Sequence, residues 1–445
     1  MDLIAALPVI GPFLSVVLPF IVVLGIVVFV HEYGHYIVGR WCGIKADIFS
    51  MGFGPVLWRR TDRRGTVWQV AALPLGGYVK FAGDADGSSR ADPDALEQLS
   101  PEERAASFHG ASVGRRALTV LAGPVFNFIL AAIVFAGLIL VQGVAKPGIV
   151  VGEIVALPGQ VNELQVGDEI VAAEGTDVAD YTELLTIVDG MAEAGPMDLT
   201  VRRDGDLVDV TAPYLLPPIV YGVEPLSPAS RAGLEPGDVI LSAGGTDLVR
   251  FEDLRQIVMA SEGAPLGLRV DRAGETLDLT IAPELRDTGD GEGGFEKRVM
   301  IGVSGGLAFA PATERPNPLR ALGLGVERVW LVITSSLTGL KAMITGDLGP
   351  ENLQGPIGIA QISGETASQG LLSFINLIAV LSTAIGLLNL FPVPVLDGGH
   401  LVMFAYEAIR GKPASDRWLQ VAMSIGLAMV LLLMLFATYN DIMRL

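Results

Sequence analysis

The chain has 445 residues, of which 51% are hydrophobic and 18% charged, and its mean hydropathy is +0.51. This composition excludes an ordinary soluble enzyme and predicts membrane segments joined to water-soluble domains. The net charge of −19 arises between residues 145 and 370, which carry 15 Lys and Arg against 34 Asp and Glu, so this acidic block argues against nucleic-acid binding.

Four apolar segments reach the length of about 20 residues that a bilayer requires: 13–37, 117–142, 371–392 and 418–438. The first has no basic start and no A-x-A site, so we expect a retained helix and not a cleaved signal peptide. The 11 Lys and Arg of residues 40–116 predict that this loop is cytoplasmic. The acidic block then lies on the opposite side of the membrane.

The first apolar segment ends in His31-Glu32-Tyr33-Gly34-His35, and ionisable side chains at membrane depth are a sign of function. Histidines four residues apart lie on one face of a helix and can bind one metal ion. Zinc suits imidazole nitrogen and lowers the pKa of a bound water to about 7, and Glu32 can act as the general base. The alternative is that these are ordinary polar residues at a helix end.

Residues 49–81 are punctuated by glycine and alternate like strands around a turn, which predicts β-hairpins beside the first helix. An exposed strand edge could pair with an unwound membrane substrate by strand addition. Four glycines would permit close approach of a substrate backbone: Gly52, Gly54, Gly76 and Gly77. Alternatively, the hairpins are a cap in which these glycines are structural.

The acidic block contains an internal repeat, because residues 233–258 echo residues 163–188 and each copy continues into an alternating strand pair. The order of strand, Gly-Asp turn, strand, short helix and hairpin resembles the PDZ domain, twice in tandem. We expect Tyr221, Gly222 and Val223 to line the peptide groove of the second copy. The pair could capture a newly exposed C-terminus or admit only trimmed substrates.

A third metal ligand is predicted at Asp397, which follows a proline-rich, helix-breaking stretch in the sequence NLFPVPVLDGGH. Broken backbone at membrane depth is tolerated where it is buried in protein or lines a cavity. The alternative role for Asp397 is an N-cap for a helix that starts at Gly398. His400 could orient a ligand or face the interface, and His109, in a polar loop, is predicted to be a solvent residue.

Asn389 lies eight residues before Asp397. Its amide could donate a hydrogen bond to the oxyanion that forms during attack on a carbonyl. It could equally satisfy backbone groups freed by Pro392 and Pro394. Chemistry alone leaves these two roles open.

Together these motifs resemble the bacterial site-2 proteases, of the regulator of sigma-E protease type. The resemblance extends to SMGFGPVLWRRTDRRGT, PLGGYVKF, AGPVFNF and LQGPIGIA, and so covers nearly the whole chain. It implies that His31, His35 and Asp397 bind Zn2+, that Glu32 is the catalytic base and that Asn389 handles substrate. It also favours a strand-donor role for the hairpins and a size-filter role for the PDZ-like pair.

The resemblance implies a zinc-dependent intramembrane endopeptidase of the bacterial inner membrane, with its site near the cytoplasmic side and its PDZ-like domains in the periplasm. Its expected substrates are single-pass membrane proteins, namely anti-sigma factors already trimmed by another protease and remnant signal peptides. Expected partners are these substrates and the lipid bilayer, with no nucleic acid and no small-molecule cofactor. Two alternatives stay open: a metalloprotease whose third ligand is a distant glutamate, and a non-catalytic membrane adaptor that presents two PDZ-like modules.

The predicted fold is a membrane protein with four transmembrane helices, a cytoplasmic-side β-hairpin region and two tandem PDZ-like α+β domains inserted between helices 2 and 3. Residues 316–346 have helical periodicity with a polar stripe and could lie on the membrane surface or brace the soluble block. The predicted boundaries are 1–48 for the first transmembrane helix, 49–82 for the hairpins, 83–116 for a cytoplasmic linker, 117–144 for the second transmembrane helix, 145–215 and 216–286 for the PDZ-like domains, 287–370 for a linker with the amphipathic helix, 371–400 for the third transmembrane helix with the LDG motif, 401–417 for a cytoplasmic loop or helix, and 418–445 for the fourth transmembrane helix.

Overall fold

The computed structural model describes residues 10–86, 97, 99–290 and 294–444. The predicted first domain, 1–48, and the predicted cytoplasmic linker, 83–116, therefore each include positions outside the described residues. Two compact units divide the chain, and the second consists of residues 139–317 and 342–349. The remainder of the described chain belongs to the first unit.

Helices and strands are labelled here in chain order. The helices are α1 (Gly11–Trp41), α2 (Pro101–Ala105), α3 (Val113–Gln142), α4 (Tyr181–Gly190), α5 (Pro228–Ala232), α6 (Phe251–Ala260), α7 (Pro318–Thr345), α8 (Pro356–Ser368), α9 (Leu371–Asn389), α10 (Asp397–Arg410) and α11 (Asp416–Met443). The strands are β1 (Ala46–Thr61), β2 (Val67–Phe81), β3 (Val144–Ala145), β4 (Ile149–Ile154), β5 (Glu169–Ala173), β6 (Thr176–Asp177), β7 (Met197–Arg203), β8 (Asp206–Ala212), β9 (Gly222–Val223), β10 (Val239–Ala243), β11 (Thr246–Asp247), β12 (Leu266–Arg272), β13 (Glu275–Ile281), β14 (Glu284–Gly289), β15 (Phe295–Met300), β16 (Val303–Ser304), β17 (Phe309–Pro311) and β18 (Thr313–Glu314).

Among the described residues, four helices are long and apolar enough to cross a membrane, namely α1, α3, α9 and α11. They carry large apolar side chains on their exposed faces, such as Phe13, Ile133 and Leu432, which are 65%, 58% and 72% exposed. Such surfaces are unfavourable in water and suit hydrocarbon. The prediction of four apolar helices is confirmed.

The third apolar helix is shorter than its predicted domain, 371–400. It ends at Asn389, and a new helix, α10, begins at Asp397. Pro392 and Pro394 explain the break, because proline lacks the backbone N–H of a helix and clashes with the preceding turn. The LDG motif therefore begins a separate helix.

Glycine allows the helices of the first unit to pack closely. A Cβ atom added at Gly34 of α1 would lie 2.6 Å from the carbonyl oxygen of Ala122 in α3. One added at Gly386 of α9 would lie 3.1 Å from the carbonyl oxygen of Pro124 in α3. Small residues at these crossings permit the close backbone approach that holds helices together in lipid.

The strands β1 and β2 each bend back and form one sheet of four segments. Residues 46–51 pair with 77–81 on one side and with 67–70 on the other, and residues 56–61 pair with 67–71. At the bends, Gly52, Gly54 and Gly76 have φ angles of +86°, +84° and +152°. Side chains rarely adopt this left-handed region, so the bends require glycine.

Helix α10 is anchored to α3 by a charged pair. The Arg116 Nη2 atom donates to Glu407 Oε1 at 2.7 Å, and both side chains are largely buried. The Arg116 guanidinium also lies over the ring of Phe404, at 5.1 Å from its centre. This contact fixes α10, and with it Asp397, against α3.

Helix α7 confirms the helix predicted at 316–346. Within the first unit, its Val329 is buried in one apolar cluster with Ala131 and Phe135 of α3. On other faces, Leu319 and Trp330 are 82% and 66% exposed. The helix therefore buries one apolar face and exposes large apolar side chains on others.

The two copies of the repeat in the second unit form equivalent elements. The strands β5, β7 and β8 are neighbours in one sheet, and β10, β12 and β13 are neighbours in another. Leu184 and Val188 of α4 are buried in the first apolar core, and Leu254 and Val258 of α6 in the second. The sequence repeat is thus a repeat of structure.

Each repeat carries the same buried ion pair at its Gly-Asp turn. Arg203 donates from Nε and Nη2 to the two carboxylate oxygens of Asp168, both at 2.8 Å. Arg272 donates in the same way to Asp238, both at 2.7 Å. The forked arginine ties the turn to the hairpin that follows the helix in each copy.

The region predicted as a linker, 287–370, instead begins with strands. After the hairpin of β14 and β15, residues 301–314 run back along the unit and pair in turn with earlier strands: β16 with β9, β17 with β4 and β18 with β3. These strands are two or three residues long and do not alternate, so the sequence gives no strand signal there. This return segment, 301–314, completes both repeats.

Candidate active site

Three side chains predicted as metal ligands converge in the first unit. His31 and His35 lie on one face of α1, with their Nε2 atoms 3.2 Å apart. Asp397 Oδ2 lies 3.1 Å from His31 Nε2 and 3.5 Å from His35 Nε2. Among the described residues, these three form the one cluster of histidine, cysteine and carboxylate side chains that could hold a metal ion.

This cluster fits zinc. Bonds of about 2.0–2.2 Å in a tetrahedron place ligand atoms about 3.3–3.6 Å apart, close to the separations here. Asp397 Oδ2 is also buried without a hydrogen-bond partner among the described residues. A buried carboxylate oxygen without a partner is unfavourable, and a bound cation would satisfy it. Three ligands leave one tetrahedral position for water or substrate, as a catalytic site requires.

The geometry of α10 decides between the two roles considered for Asp397. The residue before the helix is Leu396, whose backbone is extended, and Asp397 is already the first helical residue. No side-chain hydrogen bond caps the helix. The Asp397 carboxylate is directed at the histidines and does not act as an N-cap.

Helix α3 supports the histidines through residues that the sequence motifs do not predict. His35 Nδ1 lies 2.9 Å from the carbonyl oxygen of Thr119, to which it donates when Nε2 faces a metal. A Cβ atom at Gly123 would overlap His35 Nε2 and lie 2.9 Å from His31 Cε1. Asn127, fully buried, has its Nδ2 atom 3.3 Å from His31 Nδ1. Of these residues, only Asn127 could have been indicated by the sequence, because it is a polar residue inside an apolar helix.

The proposed base, Glu32, lies beside the cluster. Its carboxylate interacts electrostatically with His31, His35 and Asp397. A Cβ atom at Gly77 would lie 3.0 Å from Glu32 Cγ, so the 77–81 segment of β2 passes directly beside this residue. Glu32 therefore lies between the cluster and the strand segment.

Asn389 is the last residue of α9. Its Nδ2 atom donates to the carbonyl oxygen of Ile385 at 3.0 Å, one turn earlier in the same helix. The Ile385 carbonyl lies within α9 and is not one of the groups that Pro392 and Pro394 free, so this bond matches neither predicted role of Asn389. A role with substrate would require the amide to leave this bond.

The two remaining histidines have other surroundings. His109, predicted to be a solvent residue, lies with Nε2 3.1 Å from Oδ1 of the buried Asp84, and its side chain is 23% exposed. Burial raises the pKa of the Asp84 carboxyl, and the hydrogen bond from His109 opposes that shift. His400 packs against Phe404, with ring centres 6.4 Å apart, and is not part of the metal cluster. The solvent assignment for His109 is therefore wrong, because the loop folds over Asp84.

In the second unit, the predicted groove residues are already paired. Gly222 and Val223 form β9, which pairs with Ser304 and Val303 of the return segment. The Tyr221 N–H donates to the carbonyl oxygen of Ser304 at 2.8 Å, while its side chain is 68% exposed. A peptide that adds a strand to β9 would therefore have to use the edge that β16 does not occupy.

Comparison with known proteins identifies the family. A family model described as peptidase family M50 matches residues 19–433, which include every residue of the cluster. The "Regulator of sigma-E protease RseP" of Escherichia coli is 36% identical over 458 residues, covering 96% of this chain and 98% of that protein. A protein of Agrobacterium fabrum named "Putative zinc metalloprotease" is 39% identical over 431 residues, covering 96% of this chain and 95% of that protein. With its apolar helices and its zinc-compatible cluster, this chain belongs to peptidase family M50 and is a membrane-embedded zinc metalloendopeptidase of the site-2 protease family.

Proposed function

We propose that this zinc metalloprotease hydrolyses peptide bonds within the membrane, with His31, His35 and Asp397 as ligands and Glu32 as general base. The observation that carries the proposal is the convergence of three donor atoms, at 3.1–3.5 Å, from a membrane-length helix and a helix that follows a proline break. Zinc bound there would supply Lewis acidity and lower the pKa of a bound water.

The residues of this chain then transfer the proton, hold the metal and bind the substrate. Glu32 takes a proton from the attacking water and hands it to the leaving amine. His31, His35 and Asp397 hold the reacting centre in a buried site. Asn389 is proposed to exchange its bond within α9 for a hydrogen bond to the substrate carbonyl.

We propose that the 77–81 segment of β2 receives the substrate as an added strand. A membrane helix must lose its internal hydrogen bonds before the site can reach a peptide bond, and unpaired backbone groups are unfavourable in lipid. Pairing with a strand edge replaces the lost partners. The bends already account for Gly52, Gly54 and Gly76, so the proposed close approach rests on Gly77, which lies against Glu32.

The repeats of the second unit are proposed to be PDZ-like domains that act as a size filter. Their alternative role is capture of a new C-terminus. A deletion can separate the two roles, and it should remove residues 144–314, since a shorter deletion ending at 285 would leave the return segment without its partners. Cleavage of untrimmed substrates by the deleted protein supports a filter, whereas weaker cleavage of trimmed substrates supports capture.

The proposed substrates are single-pass membrane proteins, in particular anti-sigma factors already trimmed by another protease, and remnant signal peptides. Similarity to proteins named regulator of sigma-E protease supports this class and a role in regulated intramembrane proteolysis and stress response. The proposed location is the bacterial inner membrane. The 11 Lys and Arg of residues 40–116 favour a site near the cytoplasmic side, with the second unit in the periplasm.

The test compares the purified full chain with Glu32→Gln in detergent, by zinc content and by cleavage of trimmed single-pass substrates. We expect Glu32→Gln to retain zinc and to lose cleavage by roughly 100-fold or more, because a positioned general base contributes at least that much. Glu102→Gln, at an exposed glutamate of α2, is the matched control. Undiminished cleavage by Glu32→Gln would refute the role of Glu32 as the general base.

A further inference from the structure

We infer that Asn127 is a positioning residue that orients His31 for metal binding. The Asn127 side chain lies in the membrane-length helix α3 and is fully buried. Its Nδ2 atom is 3.3 Å from His31 Nδ1, while its Oδ1 atom is buried without a hydrogen-bond partner among the described residues. A buried amide oxygen without a partner is unfavourable and requires an explanation.

The required tautomer of His31 supplies that explanation. A neutral imidazole that binds a metal through Nε2 carries its hydrogen on Nδ1 and needs an acceptor there. Rotating the Asn127 amide by half a turn exchanges its oxygen and nitrogen, which are nearly equal in size. The amide oxygen then accepts the hydrogen bond from His31 Nδ1, and the amide nitrogen takes the position in which the oxygen had no partner.

The surroundings hold Asn127 in place for this role. The Ser382 hydroxyl of α9 donates to the backbone carbonyl of Asn127 at 2.9 Å. A Cβ atom at Gly386 would lie 3.2 Å from Asn127 Cβ, so α9 packs directly on this residue. Each histidine thus has one partner from α3, a backbone carbonyl for His35 and the Asn127 side chain for His31. Only the partner of His31 can be removed by a substitution, because the partner of His35 is a backbone carbonyl.

This inference rests on the proposed ligand set, and the experiment separates the two. Zinc affinity of the purified full chain is measured by competition with a chelator for wild type, His31→Ala, Asn127→Leu and Asn127→Asp. We expect Asn127→Leu, which keeps the volume and removes the acceptor, to bind zinc roughly 10- to 100-fold more weakly. Asn127→Asp keeps an acceptor and should bind zinc at least as tightly as wild type.

Ile133→Leu, on the exposed face of the same helix, is the matched control and should leave zinc affinity within about threefold of wild type. Should Asn127→Leu fail to fold, Asn127→Ala, which removes the acceptor and relieves any crowding, replaces it with the same expected loss. Wild-type zinc affinity in the Asn127 variants that lack the acceptor, together with loss of zinc in His31→Ala, overturns the role of Asn127. Wild-type affinity in His31→Ala overturns the ligand set instead.

Discussion

At the scale of single residues, the geometry of the site depends on Gly123 as well as on the three proposed metal ligands. Gly123 faces both imidazole rings, and no larger residue fits there without moving one of the histidines. The histidines and Asp397 could be predicted from sequence because their chemistry is unusual in lipid. Gly123 and Thr119 could not, because a glycine and a backbone carbonyl carry no chemical signature until the helix opposite them is known.

We expect Gly123→Ala to weaken zinc binding at least about tenfold, because its methyl group would displace His35 from the cluster. Zinc content after dialysis and cleavage of a trimmed substrate measure the effect. Gly137→Ala in the same helix is the control, since a Cβ atom there meets nothing within 4 Å. Equal zinc content in the two variants would contradict the proposed packing.

Asp397→Asn tests the third ligand. An amide oxygen is a weaker zinc ligand than a carboxylate, so we expect the purified variant to lose most of its zinc while remaining folded. Metal analysis of the variant beside wild type is the measurement. Full retention of zinc would favour a distant glutamate as the third ligand.

At the scale of elements, the position of α10 relative to α3 decides whether Asp397 reaches the histidines. The proline break separates Asp397 from α9, and the contact of Arg116 with Glu407 then holds α10 in place. The break could be predicted from Pro392 and Pro394. The ion pair could not, because its residues lie 291 positions apart and each resembles an ordinary charge at a helix end.

We expect Arg116→Met and Glu407→Leu each to destabilise the protein by about 3–5 kcal/mol, because each leaves a largely buried charge without its partner. The double variant should be less destabilised than the sum of the two. Thermal unfolding in detergent, with zinc content as a second readout, measures the cycle. Strict additivity would show that the two side chains act independently.

At the scale of the whole molecule, the second unit owes its stability to two repeats built alike. The repeat could be predicted, because alternating strands and Gly-Asp turns recur at a fixed interval in the sequence. The return segment was missed, because short unalternating strands gain their stability from distant partners. The forked arginines lie at matching positions, but sequence alone could not pair them with their aspartates.

The first of these pairs predicts how the second unit responds to acid. The Arg203 guanidinium lowers the pKa of Asp168 below its usual value. Because the unfolded carboxyl has the higher pKa, the pair stabilises the unit fully above that value, about 3.9, and the stability is lost as the pH falls below it. Asp168→Asn should lower stability at pH 7 and flatten the dependence between about pH 5 and pH 3.

Hydrogen exchange in residues 149–212 of the full chain, followed at several pH values in urea, measures this prediction. Asp206→Asn, at an exposed position of the same sheet, is the control. A variant of Asp168 that keeps the acid dependence of wild type would assign that dependence to other groups.

The return segment also has a consequence for the order in which this protein is made. The strand β4 ends at Ile154, and its partner β17 begins at Phe309. The ribosome must therefore synthesise the whole second repeat before the first sheet can close. Until then, one edge of β4 remains open to other strands. The two repeats therefore mature together, late in synthesis, and the newborn chain needs protection from aggregation for longer than either repeat alone would require.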